Sequence, residues 1–132
     1  MAVFNLGLAY ARTGDFDLAI QTLKRALELD GTNFSAAYNL GAAYQRKQMV
    51  PEAIAAFRQA ININSDYAAA HRALGELLLY QGQVDESIAE LRRSADLEPR
   101  DPGTHAALAK ALSAKGLNAE ADDEMRKAQP PQ

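Results

Sequence analysis

Apolar and polar positions along the chain repeat at a constant interval of about 34 residues. The clearest column is a leucine followed by a small residue, at Leu6-Gly7, Leu40-Gly41, Leu74-Gly75 and Leu108-Ala109. No insertion or deletion separates these pairs, and apolar residues recur at helical spacing within each repeat. A fixed period of this length indicates a stacked array of helices, in which each unit buries its apolar face against its neighbours.

Each repeat is predicted to form two helices. The first helices are expected at about Ala2–Thr13, Phe34–Lys47, Tyr67–Gln81 and Pro102–Lys115, and the second at Phe16–Leu29, Val50–Ile63, Val84–Leu97 and Asn118–Ala128. Gly14, Gly82 and Gly116 lie at the breaks, where glycine readily adopts the left-handed conformation that ends a helix. Gln48 has the same register as these glycines, so its turn is expected to be strained or differently shaped.

Of two further columns, one holds small residues and the other large ones. Closely packed antiparallel helices require both, because small residues let the backbones approach and large ones fill the space between them. The small column holds Ala19, Ala53, Ser87 and Ala121, and the large one Leu23, Phe57, Leu91 and Met125. We therefore expect one array over residues 1–128, with units at about 1–33, 34–67, 68–101 and 102–128. The charged last helix is expected to cap the stack, and residues 129–132 to form a disordered tail.

Composition and charge exclude several classes of protein. The 132 residues carry a formal net charge of −3, which argues against binding to nucleic acid through phosphate contacts. The absence of cysteine excludes disulfides and thiolate chemistry. No apolar run is long enough to span a bilayer, and the first helix lacks a basic leader, so we expect no membrane insertion and favour the cytoplasm.

No constellation of side chains predicts catalysis. A glycine-rich phosphate loop after a strand is missing, and no serine or carboxylate is evident beside either histidine. We therefore expect a protein that is not an enzyme and that has no cofactor or metal. His71 and His105 occupy equivalent positions in adjacent units and are expected to fill core sites, because metal binding would need further converging ligands.

The chain resembles a tetratricopeptide repeat protein over nearly its whole length. Its second unit carries six of the family's diagnostic residues, namely Leu40, Gly41, Tyr44, Ala53, Phe57 and Ala60. The resemblance implies an all-α fold, a right-handed superhelical solenoid of four antiparallel helix pairs. It also implies a protein–protein scaffold or adaptor that takes a peptide or partner segment into a concave groove lined by the first helices.

The groove is expected to consist of first-helix residues that point away from their own partner helices. The candidates are Phe4, Leu8, Arg12, Tyr38, Asn39, Ala42, Gln45, Arg46, Arg72, Glu76, Leu79, Tyr80, Lys110 and Ser113. Arg46, Arg72 and Lys110 outnumber Glu76 among the charged members. We therefore expect a protein or peptide partner with acidic and apolar side chains.

The carboxylate clamp with which some family members hold chaperone tails is absent. Asn39 matches one element, but Phe4, Leu8, Ala69 and Ala73 stand where the clamp needs basic or amide side chains. Binding of chaperone tails is therefore not expected.

Two alternative functions remain open. The chain begins inside its first helix without a polar cap, so Val3 and Phe4 are expected at an open edge. This edge would allow a structural module that assembles into a homo-oligomer. The other alternative is an RNA-binding helical repeat, against which the strict period and the negative charge both count.

Overall fold

A computed structural model describes residues Met1–Gln129, and within this range the regular elements are α-helices. They are α1 (Ala2–Arg12), α2 (Phe16–Leu29), α3 (Phe34–Arg46), α4 (Val50–Ile63), α5 (Ala68–Tyr80), α6 (Val84–Leu97), α7 (Pro102–Lys115) and α8 (Asn118–Ala128). Each predicted bound either coincides with the observed one or lies at the adjacent residue. Thr13, Lys47, Tyr67 and Gln81 lie just outside the helices because they are the capping residues.

The helices form two compact units of two helix pairs each. The first unit is Met1–Ser65, with α1 to α4, and the second begins at Asp66 and contains α5 to α8. The division falls close to the repeat boundary expected at residues 67–68. The single array over residues 1–128 stays a prediction, and residues 130–132 of the predicted tail lie outside the described residues.

Three of the helix pairs are held together by a glycine that faces a large apolar side chain. A Cβ added to the glycine would lie 2.8 Å from Leu23 Cδ2 at Gly7, 2.8 Å from the Phe57 ring at Gly41 and 2.6 Å from Leu91 Cγ at Gly75. Each large partner is at most 1% exposed. The missing Cβ lets the first helix approach the second closely enough to bury that side chain.

The fourth pair departs from this arrangement in both columns. Ala109 stands in the glycine column, and Met125 stands in the column of Leu23, Phe57 and Leu91. Met125 is 46% exposed, and Ala121 is the buried residue of α8. The α8 helix therefore buries much less apolar surface than the other second helices.

Buried hydroxyl groups connect α6 to α5 in the second unit. Ser87 Oγ donates to the Gly75 carbonyl at 2.7 Å, and Ser94 Oγ donates to the Ala68 carbonyl at 3.0 Å. Both serines are at most 1% exposed and occupy columns that hold alanine elsewhere. Each buried hydroxyl is thus satisfied by a carbonyl of the paired helix.

The turn inside each helix pair uses a left-handed residue. The φ angles are 84° at Gly14, 83° at Gly82 and 91° at Gly116, and Gln48 has a φ of 60° in the equivalent turn. The sequence expectation of strain at Gln48 is therefore confirmed, because this conformation costs a residue with a side chain about 1–2 kcal/mol.

Replacing Gln48 with glycine is expected to stabilise the protein. The left-handed penalty of about 1–2 kcal/mol outweighs the entropy that glycine loses on folding, about 0.5–1 kcal/mol, so the free energy of unfolding should rise by about 0.5–1 kcal/mol. Urea denaturation measures the change. Gly82→Ala is the matched reverse variant and should lower the free energy of unfolding. A free energy of unfolding that stays equal to the wild-type value or rises would contradict the explanation.

Replacing Gly75 with alanine is expected to lower the free energy of unfolding by about 1–3 kcal/mol, because the new methyl group overlaps Leu91. The double variant Gly75→Ala/Leu91→Met reproduces the residues of the fourth pair. It should recover part of the loss, because methionine is unbranched at Cγ and can move away. Purely additive effects in a double-mutant cycle would argue against this contact.

Candidate functional site

The first helices of the second unit border an open cleft. It has a volume of about 300 Å³ and is lined by Glu76, Leu79, Tyr80, Leu91, Ala107 and Lys110. Glu76, Leu79 and Tyr80 lie on one face of α5 because their spacing is three and four residues. Lys110 lies on α7 in the register of Glu76, one repeat later. The structure thus brings together four of the predicted groove residues.

Exposure differs strongly among the side chains around this α5–α7 cleft. Tyr80 is 78% exposed, whereas Leu91 is fully buried at the base. Lys110 is exposed, and it forms no hydrogen bond or ion pair with the described part of the chain. The cleft therefore combines an exposed aromatic ring, an aliphatic wall and an available ammonium group.

Arg72 is paired with two carboxylates of the protein itself. Its Nε donates to Glu76 Oε1 at 2.7 Å, and its Nη1 lies 3.4 Å from Asp101 Oδ2. The hydrogen bond with Glu76 raises the pKa of Arg72. A side chain at Gly103 would collide with the guanidinium group. Arg72 thus links α5 to the start of α7, and the two carboxylates balance the positive charge expected there.

Asp101 is the N-cap of α7 and holds this network in place. Its carboxylate accepts from Thr104 Oγ1 at 2.7 Å and from the Gly103 amide at 3.1 Å. The hydrogen bond from Thr104, assisted by the Gly103 amide and by Arg72, lowers the pKa of Asp101 below its usual 3.8.

Several of the predicted groove residues of the first unit contact other residues of the same unit. The Tyr38 ring packs edge-on against Phe57, with 5.4 Å between ring centroids, and the Arg46 guanidinium lies 4.8 Å from the centroid of the Phe16 ring. Asn39 Nδ2 donates to the Ser35 carbonyl at 2.8 Å. Phe4, Leu8 and Ala42 are half-buried, and Arg12 and Gln45 are exposed.

Several residues around the cleft were not predicted from the sequence. Ala107 lies in the column of Asn39, which was a candidate, so the repeat itself carried that signal. Leu91 could have been found from its place opposite Gly75. Asp101 could have been found as a helix cap because it precedes the helix predicted from Pro102, but nothing in the sequence connects it to Arg72. Ser113, which was predicted, is exposed on α7 outside the lining.

His71 and His105 are buried, as expected, but each has a carboxylate partner that was not evident in the sequence. His71 Nδ1 lies 2.6 Å from Glu90 Oε2, and His105 Nδ1 lies 2.7 Å from Glu124 Oε2. The repeat could have revealed these partners, because Glu90 and Glu124 occupy the same column in adjacent units, as the two histidines do. Among residues 1–129, no cluster of three or more His, Cys, Asp or Glu residues could hold a metal ion.

The protonation of the His105–Glu124 pair follows from its geometry. His105 Nε2 lies 2.5 Å from the Pro99 carbonyl, which can only accept, so Nε2 carries a hydrogen. A hydrogen must also lie between Nδ1 and Glu124, because two acceptors would repel at this distance. One hydrogen is therefore shared between His105 Nδ1 and Glu124 Oε2.

Family models match most of the chain. Residues 7–48 match a model described as TPR repeat, and residues 48–111 match a model described as tetratricopeptide repeat. The chain belongs to the tetratricopeptide repeat family, whose members are protein-interaction scaffolds. The expected all-α solenoid of this family is thereby confirmed.

Solved structures show the relationship in more detail. A crystal structure of MamA is 31% identical, with a TM-score of 0.90 over 96% of this chain and 74% of that one. A second MamA crystal structure is 31% identical, with a TM-score of 0.88 over 96% and 69% of the two chains. MamA from Desulfovibrio magneticus RS-1, at 22% identity with a TM-score of 0.86 over 96% and 71%, shows the fold alone. A comparison with curated protein sequences gave no match.

The helices were also compared with the length and hydropathy that membrane crossing requires. None within residues 1–129 meets both requirements.

Replacing Asp101 with alanine is expected to lower the free energy of unfolding by about 1–2 kcal/mol at pH 7, because α7 loses its cap and Arg72 loses a partner. The folded-state pKa is lowered, so this stabilisation is present above the usual value of 3.8 and disappears as the pH falls through the folded-state value. Urea denaturation between pH 7 and pH 2 measures it. Asp101→Asn is the control, because asparagine still caps the helix but does not titrate. If the wild type still had a higher free energy of unfolding than Asp101→Asn at pH 2, the mechanism would be contradicted.

Replacing His105 with alanine is expected to lower the free energy of unfolding by about 3 kcal/mol, because Glu124 loses its buried partner. Glu124→Gln should cost less than about 1 kcal/mol, because the amide can donate to Nδ1 while Nε2 still donates to Pro99. Chemical denaturation of both variants tests the assignment. If both variants lost the same free energy of unfolding, the hydrogen shared between His105 and Glu124 would not be the stabilising element.

Proposed function

We propose that this protein is an adaptor that binds a peptide or partner segment at the first-helix face, with the α5–α7 cleft as the main anchoring site. The observation that carries the proposal is Tyr80, a tyrosine that is 78% exposed at the border of a cleft of about 300 Å³. Exposed aromatic residues beside a pocket are typical anchors of binding energy in interfaces. Membership of a family of interaction scaffolds supports the same conclusion.

The cleft favours a segment with one apolar and one acidic side chain. Leu79 and Tyr80 offer an apolar wall for the first, and the exposed Lys110 ammonium can receive the second. Glu76 shares its charge with Arg72, so it offsets Lys110 less than an unpaired carboxylate would. The partner is thus expected to place its acidic group toward α7 and its apolar group toward α5.

The first unit contributes a separate surface in this proposal. Arg12, Gln45 and Arg46 are its exposed polar members, and Phe4, Leu8 and Ala42 supply half-buried apolar surface. Arg46 and Tyr38 contribute mainly by holding that surface rigid, because Arg46 lies over Phe16 and Tyr38 packs against Phe57. Rigid surfaces bind with a smaller entropic cost.

Selection of peptides from a displayed random library against the whole protein tests the proposal. Selected peptides should share an apolar and an acidic residue. Tyr80→Ala should weaken their binding about 30-fold, as expected for loss of an aromatic anchor. Lys110→Glu should weaken it about tenfold, with a smaller dependence on salt than the wild type shows.

Arg100→Glu is the matched control, because it makes the same change of charge on the exposed turn between α6 and α7. Fluorescence anisotropy with a selected peptide gives the dissociation constants. Binding that is reduced equally by Lys110→Glu and Arg100→Glu, or that is unchanged by Tyr80→Ala, would exclude the cleft as the binding site.

A further inference from the structure

Two opposite charges border the α5–α7 cleft, yet they do not pair with each other. Glu76 on α5 and Lys110 on α7 both line the cleft and have the same register in adjacent repeats. Glu76 Oε1 accepts from Arg72 Nε at 2.7 Å. Lys110 has no hydrogen bond or ion pair within the part of the chain that the structure describes. An ion pair between Glu76 and Lys110 is thus the alternative to the one that forms.

The ion pair between Arg72 and Glu76 would be weak by itself. Their side chains are 39% and 45% exposed, and an exposed pair gains little because water screens it and both side chains lose freedom. Arg72 has a second partner, because its Nη1 lies 3.4 Å from Asp101 Oδ2. A guanidinium group that one carboxylate already orients loses less entropy when it binds another. The contact with Asp101 therefore strengthens the contact with Glu76.

The start of α7 determines where the guanidinium group of Arg72 lies. The Asp101 carboxylate accepts from Thr104 Oγ1 at 2.7 Å and from the Gly103 amide at 3.1 Å, and Thr104 is fully buried. A Cβ at Gly103 would lie 2.7 Å from Arg72 Nη2 and 2.8 Å from its Cζ. Asp101 thus holds the guanidinium group, and the missing side chain of Gly103 leaves the space that it occupies.

We propose that Arg72 determines the charge selectivity of the α5–α7 cleft by keeping Glu76 away from Lys110. Arg72 is a positioning residue, because it does not line the cleft and acts on the partner through Glu76. While Glu76 is bound to Arg72, the Lys110 ammonium group is available to an acidic side chain of the partner. Without Arg72, Glu76 pairs with Lys110 and neither charge is available. The role in partner selection rests on the proposed function of the cleft, whereas the pairing of the side chains does not.

The side-chain nitrogen of Lys110 reports the pairing in the protein alone. NMR spectroscopy at mildly acidic pH detects its Nζ resonance, which is identified by its loss in Lys110→Arg. We expect Arg72→Gln to shift this resonance, because Glu76 then pairs with Lys110. Arg72→Gln should have no such effect in a protein that also carries Glu76→Gln. An unshifted resonance in Arg72→Gln, or a shift that persists beside Glu76→Gln, would overturn the proposal.

Charge selectivity is measured with a peptide selected on the protein and a second peptide in which its acidic residue is replaced by the amide. Fluorescence anisotropy should show that the wild type binds the acidic peptide about fivefold more tightly. Arg72→Gln should reduce this ratio to less than about twofold, and the addition of Glu76→Gln should restore it. The ratio is insensitive to a general loss of affinity, because both peptides bind the same protein.

Gly103→Ala separates the position of the guanidinium group from its charge. The added methyl group displaces the flexible end of Arg72, while the positive charge remains. Alanine is a better helix former than glycine, so folding should be preserved. The ratio should fall in this variant as well. Arg93→Gln is the matched control, because it removes a cation that donates to Asp66 at 2.8 Å and does not line the cleft. It should leave the ratio unchanged.

A ratio that is unchanged in Arg72→Gln or in Gly103→Ala, or that stays low when Glu76→Gln accompanies Arg72→Gln, would overturn the proposal. An equal reduction by Arg93→Gln would also overturn it, because the removal of any cation would then suffice. Failure of the proposed function is distinguishable, because peptide binding would then not depend on Tyr80 or Lys110. In that case the Lys110 resonance still decides whether Arg72 keeps Glu76 away from Lys110.

Discussion

The close approach of a glycine in one helix to a large side chain in the next is the constraint on which the structure depends. A Cβ at Gly7, Gly41 or Gly75 would come within 2.8 Å of its partner, so the spacing of these helix pairs requires glycine. The buried partners, Leu23, Phe57 and Leu91, then form the centres of the first three pairs. The side of the α5–α7 cleft that α5 contributes, above Leu91, is positioned by the contact at Gly75.

The sequence predicted the helices well because the repeat samples each structural position several times. A single column can mislead, but a leucine, a small residue and a turn glycine in constant register place each helix boundary at the observed residue or beside it. The fourth repeat shows the limit of this approach. Ala109 and Met125 keep the character of their columns, yet the large exposure of Met125 follows only from the three-dimensional packing.

Contacts between columns were much harder to predict than the columns themselves. Lys110 and Tyr80 were placed at the first-helix face by register, but the pairing of Arg72 with Glu76 and Asp101 depends on how α5 meets the start of α7. The same holds for His71 with Glu90 and His105 with Glu124, which lie on different helices and show no local motif. A periodic sequence reveals which residues are equivalent, whereas side-chain geometry decides which of them touch.

The left-handed Gln48 gives the four helix pairs unequal intrinsic stability. Repeat arrays fold by adding the stabilities of single units to the coupling between neighbours. Because the α3–α4 turn contains the unfavourable residue, that pair depends more on its neighbours for stability than an otherwise equal pair closed by glycine would. The cost at Gln48 therefore increases the cooperativity of the first unit, since α3 and α4 are less populated as an isolated hairpin and form together with the helices that pack on them.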